Sequence, residues 1–247
     1  MQQGPNVGRK PEDETEVSIT RSEVGWDGFV KVDLHSFSHR RFDGTMSAPM
    51  EREILRKPPA VAMLPYDPVL DEVLIIHQFR IAAHLMGRKG NQIEVPAGMV
   101  DPHKDAGEDG LRAAAVRELS EESGLVVAPE ALIAGPSYLP TPGNVAEIIH
   151  TYLAPVSLSQ AGGIHGLQEE GEDIRVERIA AAEAFAMLER GEIEFGPAVT
   201  LLLWFQGRYA SLRKQLLEVR PHLARSDEEK ASSGLLFKSV RKSARGE

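Results

Sequence analysis

The sequence predicts an α/β protein that carries a small antiparallel β unit at its N-terminal end. Strand-like runs and turns fill residues 16–54, where apolar and polar residues alternate. After residue 60, apolar runs of strand length are interspersed with stretches of helical periodicity. The chain has 247 residues, of which 42% are hydrophobic, and is long enough to bury a substantial core.

Composition and charge narrow the function classes. The formal net charge of −9 argues against a nucleic-acid binder, which would usually present a basic surface. A phosphate-containing substrate remains compatible with this acidity, because a bound metal ion supplies local positive charge. The chain has no cysteine, which excludes disulfides and thiolate chemistry. Neither a signal peptide nor a membrane-spanning run is recognisable, so we expect a cytoplasmic protein without a membrane partner.

The predicted elements begin with a flexible polar lead, residues 1–15, followed by the β unit, residues 16–57. In this unit the run 28–34 alternates as in a strand, and Phe42-Asp43-Gly44 indicates a turn. Runs 60–64 and 72–77 follow, and the segment Pro65-Tyr66-Asp67-Pro68 between them predicts a hairpin.

A short strand, 92–95, leads into a turn at Pro96-Ala97-Gly98. The next element is a helix over residues 108–123. Its apolar stripe is Leu111, Ala115 and Leu119, and Gly124 is predicted to end the helix in the left-handed conformation.

Strands are predicted at 131–134, 147–153 and 174–179, and helices at 181–190 and 197–217. The last helix is expected to turn one apolar side toward the core, formed by Val199, Leu202, Leu203 and Phe205. We assign residues 58–222 to the main domain and 223–247 to a charged, serine-rich tail.

Three glutamates, Glu118, Glu121 and Glu122, lie within five residues of the predicted helix and share about 100° of its surface. Like charges at this spacing repel by a few tenths of a kcal/mol, roughly, for each pair. A divalent ion bound by carboxylate oxygens would compensate for that repulsion. A solvated acidic face is the alternative, and these three residues alone do not decide between the two.

The segment from Arg117 to Leu125, with Gly98 ahead of it, resembles the Nudix box, G-x5-E-x7-R-E-U-x-E-E-x-G-U, where U is aliphatic. The second half of the box matches without exception. In the first half, the loop 99–107 is about five residues longer than usual, and Asp109 occupies the position of the early glutamate. The resemblance implies a Nudix α/β/α sandwich with a mixed sheet, in which this early acidic residue pairs with the box arginine.

Further segments resemble the ADP-ribose diphosphatase branch of the family over about residues 20–215. These segments are residues 77–83, the Pro140-Thr141-Pro142-Gly143 turn and the acidic loop 165–176. On its own, the last segment would be interpreted as a charged surface loop.

The chemistry of the residues and the resemblance together predict the site. Glu118 and Glu122, one helical turn apart, are the first choice as ligands of Mg²⁺ or Mn²⁺, with Glu121 bridging or supporting. The resemblance adds the Ala97 carbonyl and Glu172 to the metal ligands and makes Glu170 the general base. It also implies substrate contacts at Phe29, Arg52, Glu53, Arg80, Met99, Thr141 and Glu147.

Two of these substrate contacts have structural alternatives. Phe29 is expected to stack on adenine across a homodimer, but it also fits a core position. Arg52 and Glu53 also fit a surface ion pair.

The expected reaction is hydrolysis of ADP-ribose to AMP and ribose 5-phosphate. Another nucleoside-diphosphate sugar, ADP-glucose or GDP-mannose, is a second hypothesis. A ligand-binding regulator without turnover is a third, which has no need of both the ligands and the base.

Overall fold

A computed structural model describes residues 16–101 and 104–219 of the chain. The predicted lead 1–15 and the predicted tail 223–247 lie outside these residues, as do two residues of the long loop, Pro102 and His103. The strands are β1 (Val17–Asp27), β2 (Lys31–His39), β3 (Met50–Arg56), β4 (Ala60–Asp67), β5 (Glu72–Phe79), β6 (Asn91–Glu94), β7 (Ala97–Met99), β8 (Ile133–Ala134), β9 (Val145–Ala146), β10 (Ile149–Pro155), β11 (Gly163–His165) and β12 (Ile174–Ala180). The helices are α1 (Ile81–Leu85), α2 (Gly107–Ser123), α3 (Ala181–Glu189), α4 (Gly196–Gln206) and α5 (Tyr209–Val219).

Of the described residues, the first of two structural units comprises 16–57 together with Leu139–Glu147. Its sheet has the order β1-β2-β3-β9, with β1, β2 and β3 antiparallel. Strand β9 joins the edge in parallel with β3, so a segment that the sequence assigns to the main domain belongs to this unit. Among its described residues no apolar side chain is buried, and residues such as Ile19 and Trp26 are more than half exposed.

The second unit is built on an eight-stranded mixed sheet with the order β11-β12-β5-β4-β10-β8, to which β6 and β7 add by pairing with β5 and β4. Alternate residues of β4 contact different layers, as the two-residue period of a strand requires. Leu64 and Tyr66 pack with α4, whereas Val61 and Met63 pack with α2. Helices therefore cover both faces of the sheet, and the predicted α/β/α sandwich with a mixed sheet is confirmed.

The predicted hairpin is confirmed, since β4 and β5 pair antiparallel, but the position of its turn at Pro65–Pro68 is wrong, because β4 continues to Asp67 and the turn lies at residues 68–71. Met63 N donates to Pro96 O across one edge of β4. The backbone nitrogen of Pro65, two residues further on, faces the same edge but has no N–H to donate. Pairing with β5 on that edge begins only at Tyr66, so the proline removes no hydrogen bond of the sheet.

The single helix predicted over 197–217 is wrong as well, because the chain forms two helices with Gly207 between them. In α4 the buried residues after Pro197 are Ala198, Leu201, Leu202 and Phe205, at the spacing i, i+3, i+4, i+7. Leu203 is 55% exposed, so the predicted apolar side was wrong at this residue. None of the described helices is long and apolar enough to cross a membrane.

Candidate active site

Strand β7 brings the backbone of Ala97 and Gly98 alongside helix α2. The predicted turn at 96–98 is partly wrong, because Ala97–Met99 is extended and pairs antiparallel with β4. A β-carbon at Gly98 would lie 2.0 Å from Cδ of Glu118, so only glycine permits this approach. Helix α2 ends as predicted, with Gly124 in the left-handed conformation at φ 69°.

The three glutamates of α2 differ in exposure. Glu122 is 3% exposed, and the side chains of Glu118 and Glu121 are 14% and 28% exposed. The apolar stripe beside them is buried at Ala115 and Leu119, which are fully covered. A solvated acidic face is therefore excluded for Glu122, and the packed edge of the helix lies where the sequence predicts it.

Burial and neighbouring charges raise the pKa of Glu122 to about 8. Loss of water is the largest cause, and the charges of Glu172 and Glu118 add to it. A hydrogen bond that Ala97 N–H donates to Glu122 Oε2 at 2.8 Å acts in the opposite direction. Without a compensating cation, the site therefore favours the protonated form of this carboxyl group at neutral pH.

The pKa of Glu118 is also raised, first by burial and further by the charges of Glu121 and Glu170, while Arg117 lowers it. Like charges nearby disfavour the ionised form of a carboxyl group. Carboxylates from α2 and from the loop 166–172 are therefore near enough to affect one another's ionisation. We call Glu118, Glu121, Glu122, Glu170 and Glu172 the carboxylate cluster.

The loop that carries Glu170 and Glu172 is attached to the end of α2. Gly166 N donates to Glu121 O at 3.3 Å. The ring of His165 packs close to Gly124, since a β-carbon at Gly124 would lie 2.9 Å from Cε1 of that ring. Glu172 Oε2 accepts a hydrogen bond from Leu167 N at 3.0 Å. Glu170 is exposed at the end of a short 3-10 turn, Gln168–Glu170.

Arg80 is a cation that interacts with the buried part of the cluster, Glu122 and Glu172. Its pKa is raised by hydrogen bonds with Glu94 and by the charges of Glu122 and Glu172. Glu94, 1% exposed, is a residue that the sequence interpretation missed. Its signal was a charged residue directly ahead of Val95 and Pro96, in a short strand that leads into an apolar segment.

The predicted pairing of Asp109 with Arg117 is wrong. Arg117 Nη1 lies 2.7 Å from Glu118 and 3.3 Å from Glu121, and its Nη2 lies 3.8 Å from Asp105. The long loop folds back over the start of α2, where a β-carbon at Gly110 would lie 2.1 Å from the carbonyl carbon of Asp105. Asp105 thereby takes the place expected of Asp109, which is exposed on the first turn.

Among the described residues, no three His, Asp or Glu side chains are arranged to hold a metal ion in their present orientations. Each predicted carboxylate ligand points to a protein donor instead: Glu122 to Ala97 N, Glu118 to Arg117 and Glu172 to Leu167 N. The donor set nevertheless suits a hard divalent cation, because it consists of oxygen ligands with unbalanced negative charge around a buried carboxyl group.

The predicted substrate residues fall in both units. Arg80 lies beside the carboxylate cluster, and Met99 is 47% exposed on β7, two residues from Ala97. The other five belong to the first unit: Phe29, Arg52, Glu53, Thr141 and Glu147.

Within the first unit, Phe29 is 94% exposed, which rules out the core alternative. Arg52 donates to Glu51 O at 2.7 Å and neighbours Glu53 on β3, where adjacent side chains point to opposite faces. The Thr141 carbonyl closes a turn with Asn144 N and Val145 N. Glu147 is buried and pairs with Lys57 at 2.5 Å.

Comparison with known proteins places these features in context. A family model described as the NUDIX domain matches residues 56–199. The ADP-ribose pyrophosphatase of Escherichia coli (strain K12) is 36% identical over 200 residues, which cover 81% of this chain and 92% of that protein. The ADP-ribose pyrophosphatase of Haemophilus influenzae is 35% identical, covering 81% and 90%. The GDP-mannose pyrophosphatase of Escherichia coli O1:K1 / APEC is 30% identical, covering 77% and 95%.

Proposed function

We propose that this chain, which belongs to the Nudix family, hydrolyses the diphosphate bond of ADP-ribose to give AMP and ribose 5-phosphate. The observation that carries the proposal is the carboxylate cluster itself, in which α2 and the loop 166–172 bring five acidic side chains together. The similarity to two ADP-ribose pyrophosphatases over four fifths of the chain supports the choice of substrate.

Nudix hydrolases need a divalent metal ion, and we propose Mg²⁺, with Mn²⁺ as an effective substitute. The ligands would be Glu118, Glu122, Glu172 and the carbonyl oxygen of Ala97. When bound, the ion neutralises phosphoryl oxygens and polarises phosphorus toward attack by water. Glu122 would give up its proton on binding, because only the ionised carboxylate is a good ligand.

Glu170 is our choice for the general base that takes the proton from the attacking water. Its exposed position at the end of a 3-10 turn leaves the carboxylate accessible to water, and its charge contributes to the raised pKa of Glu118. Glu121, in the last turn of α2, is proposed to support the metal ligands, and its carboxylate lies 3.3 Å from Arg117.

Substrate recognition is proposed at Arg80 and Met99 in the second unit and at Phe29, Arg52, Glu53, Thr141 and Glu147 in the first. Arg80 suits a phosphate by charge and by its forked geometry. The exposed ring of Phe29 is available for stacking on adenine. GDP-mannose is the alternative substrate, because a GDP-mannose pyrophosphatase is also similar to most of this chain.

We further propose a homodimer that acts on a small molecule in the cytoplasm, without a nucleic-acid or membrane partner. The first unit supports a dimer, since its sheet exposes Val17, Ile19, Val24 and Trp26 and its described residues bury no apolar side chain. Large apolar residues gathered on a small sheet are typical of an interaction surface. The net charge of −9 supports the absence of a nucleic-acid partner.

Incubation with Mg²⁺ and ADP-ribose, ADP-glucose, GDP-mannose or NADH, followed by chromatography of the products, tests the proposal. We expect strong AMP release from ADP-ribose and little product from the other three. Preferential GMP release from GDP-mannose would replace ADP-ribose as the substrate, and no turnover of any compound would favour a binding protein. Reactions with excess EDTA serve as the control for the metal requirement.

A further inference from the structure

A buried acidic residue beside the carboxylate cluster has no part in the proposed function. Glu94 ends β6 with 1% of its surface exposed. A carboxylate removed from water is tolerated when it is paired and hydrogen-bonded. Its partner is Arg80, whose Nε donates to Oε1 at 2.9 Å and whose Nη2 donates to Oε2 at 2.8 Å.

This bidentate pair fixes the orientation of the guanidinium group. Two parallel charge-assisted hydrogen bonds restrain its plane as well as its position. Because Nε and Nη2 both donate to Glu94, the Nη1 amino group can donate to another anionic partner. The backbone on both sides of the pair is also fixed. Arg80 N donates to Gly90 O at 2.8 Å, and β5 pairs with β6, with Ile76 opposite Glu94 and Phe79 opposite Asn91.

The pair also keeps the guanidinium group of Arg80 from turning toward other carboxylates. The hydrogen bonds that Arg80 donates to Glu94 raise its pKa most, and Glu122 and Glu172 are near enough to raise it further. If Glu94 did not occupy two of its nitrogens, Arg80 would be drawn toward these two carboxylates. They are the residues assigned above to metal binding, so a released Arg80 would compete with the cation for them.

We propose that Glu94 is a positioning residue, which holds Arg80 as a pre-oriented cation for the phosphoryl oxygens of a nucleoside-diphosphate sugar and keeps it off the metal ligands. The inference rests on the proposed function for its substrate class. The inference predicts that the effect of losing Glu94 depends on the presence of Arg80.

A double-mutant cycle tests this dependence with Glu94→Gln, Arg80→Ala and the double variant. Glu94→Gln keeps the volume of the side chain but loses the charge and one acceptor. We expect it to lower kcat/KM for ADP-ribose about 10- to 100-fold, as for other residues that orient a ligand-binding side chain. The double variant should be no slower than Arg80→Ala alone. Losses that multiply in the double variant, or an unaffected Glu94→Gln variant, would overturn the proposal.

Metal binding gives a readout that does not depend on turnover. Titration of each variant with Mn²⁺, followed by electron paramagnetic resonance, should show binding weakened about 10-fold in Glu94→Gln, at the lower end of the range known for residues that orient a metal site. Removal of Arg80 in the double variant should restore it, since the competing cation is then gone. Weakening that persists in the double variant would show that Glu94 acts on the metal site by another route and contradict the inference.

The matched control is Glu194→Gln, which removes the carboxylate from the more exposed ion pair with Arg88 elsewhere in the second unit. It should change neither turnover nor Mn²⁺ binding. If Glu94→Gln does not fold, Arg80→Lys replaces it, because lysine keeps the charge but lacks the fork, and the same loss in kcat/KM is expected. Turnover of ADP-ribose by the unaltered protein tests the proposed function separately, and the Mn²⁺ titrations test this inference even if that turnover is absent.

Discussion

The sharpest consequence of the buried carboxyl group concerns Glu122→Gln in the metal-free protein. Ordinarily the removal of a proposed metal ligand is expected only to lower the activity or stability of a protein. Here the glutamine oxygen can accept the same hydrogen bond from Ala97 N–H, while the variant no longer carries an acid whose ionised form is disfavoured by burial and by Glu172. We therefore expect the variant to unfold at a higher temperature than the wild type in EDTA at pH 8.

The magnitude follows from the pKa. The pKa of Glu122 is about 8 in the folded protein against an ordinary value of 4.5, which represents the unfolded chain. Between these values the folded state binds more protons, so the free energy of unfolding falls as the pH rises and levels off above pH 8. At about 1.4 kcal/mol for each pH unit, the upper limit is about 5 kcal/mol.

Part of this cost is recovered when the ionised side chain turns toward water, so we expect about 2 kcal/mol to remain. For a domain of this size that corresponds to roughly 4–8 °C in melting temperature.

The assay is thermal unfolding of both proteins in EDTA from pH 5 to pH 8, repeated with excess Mg²⁺. The stability difference in favour of Glu122→Gln should be small at pH 5 and largest at pH 8. Mg²⁺ should raise the melting temperature of the wild type alone, since ligand binding stabilises only the protein that retains the site. Equal pH dependence of the two proteins would refute the electrostatic reasoning, and stabilisation of both by Mg²⁺ would refute Glu122 as a ligand. Glu194→Gln is the control for the loss of one acidic side chain.

Three further predictions concern individual contacts. Gly98→Ala places a methyl group 2.0 Å from Glu118 Cδ and should displace that carboxylate, so turnover is expected to fall about 100-fold while the melting temperature changes little; normal turnover would show that Glu118 tolerates the shift. Glu170→Gln should lower kcat about 10²- to 10⁴-fold with KM nearly unchanged, and an unaltered kcat would remove it as the base. Tyr209→Phe removes a hydroxyl that donates to Asp71 Oδ2 at 2.5 Å and should destabilise the protein by about 1.5–3 kcal/mol without affecting kcat, as measured by urea unfolding beside steady-state kinetics; unchanged stability would mean that this hydrogen bond contributes nothing.

The parts of the fold that the sequence predicts well are those governed by local periodicity. Helix α2 begins within a residue of its predicted start and ends where predicted, because its apolar spacing and the left-handed Gly124 are local signals. The break between α4 and α5 was missed because a glycine within an apolar helical pattern is only weakly disfavoured. The position of Leu203 was wrong for a related reason: the five consecutive apolar residues 201–205 do not by themselves show which of them faces the sheet.

The candidate site was predictable where the motif is contiguous and not where tertiary contacts decide. The glutamates of α2 are adjacent in the sequence, and the resemblance supplied Glu170 and Glu172. The pairing of Asp105 with Arg117 depends on how the lengthened loop folds over Gly110, which no local pattern encodes. Likewise the role of Glu94 appears only when β6 lies beside the end of β5 and places its carboxylate against Arg80.

The pairing of β9 with β3 has a consequence for the order of folding. Strands β1, β2 and β3 follow one another directly in the sequence, but the fourth strand of their sheet, Val145–Ala146, is synthesised about 90 residues after β3, beyond helix α2. Closing a contact over so long a separation is slow, because the entropy of the intervening chain must be lost first. The N-terminal sheet is therefore completed only after strands β4 to β8 and helix α2 have been made, and until then the edge of β3 that pairs with β9 has no partner.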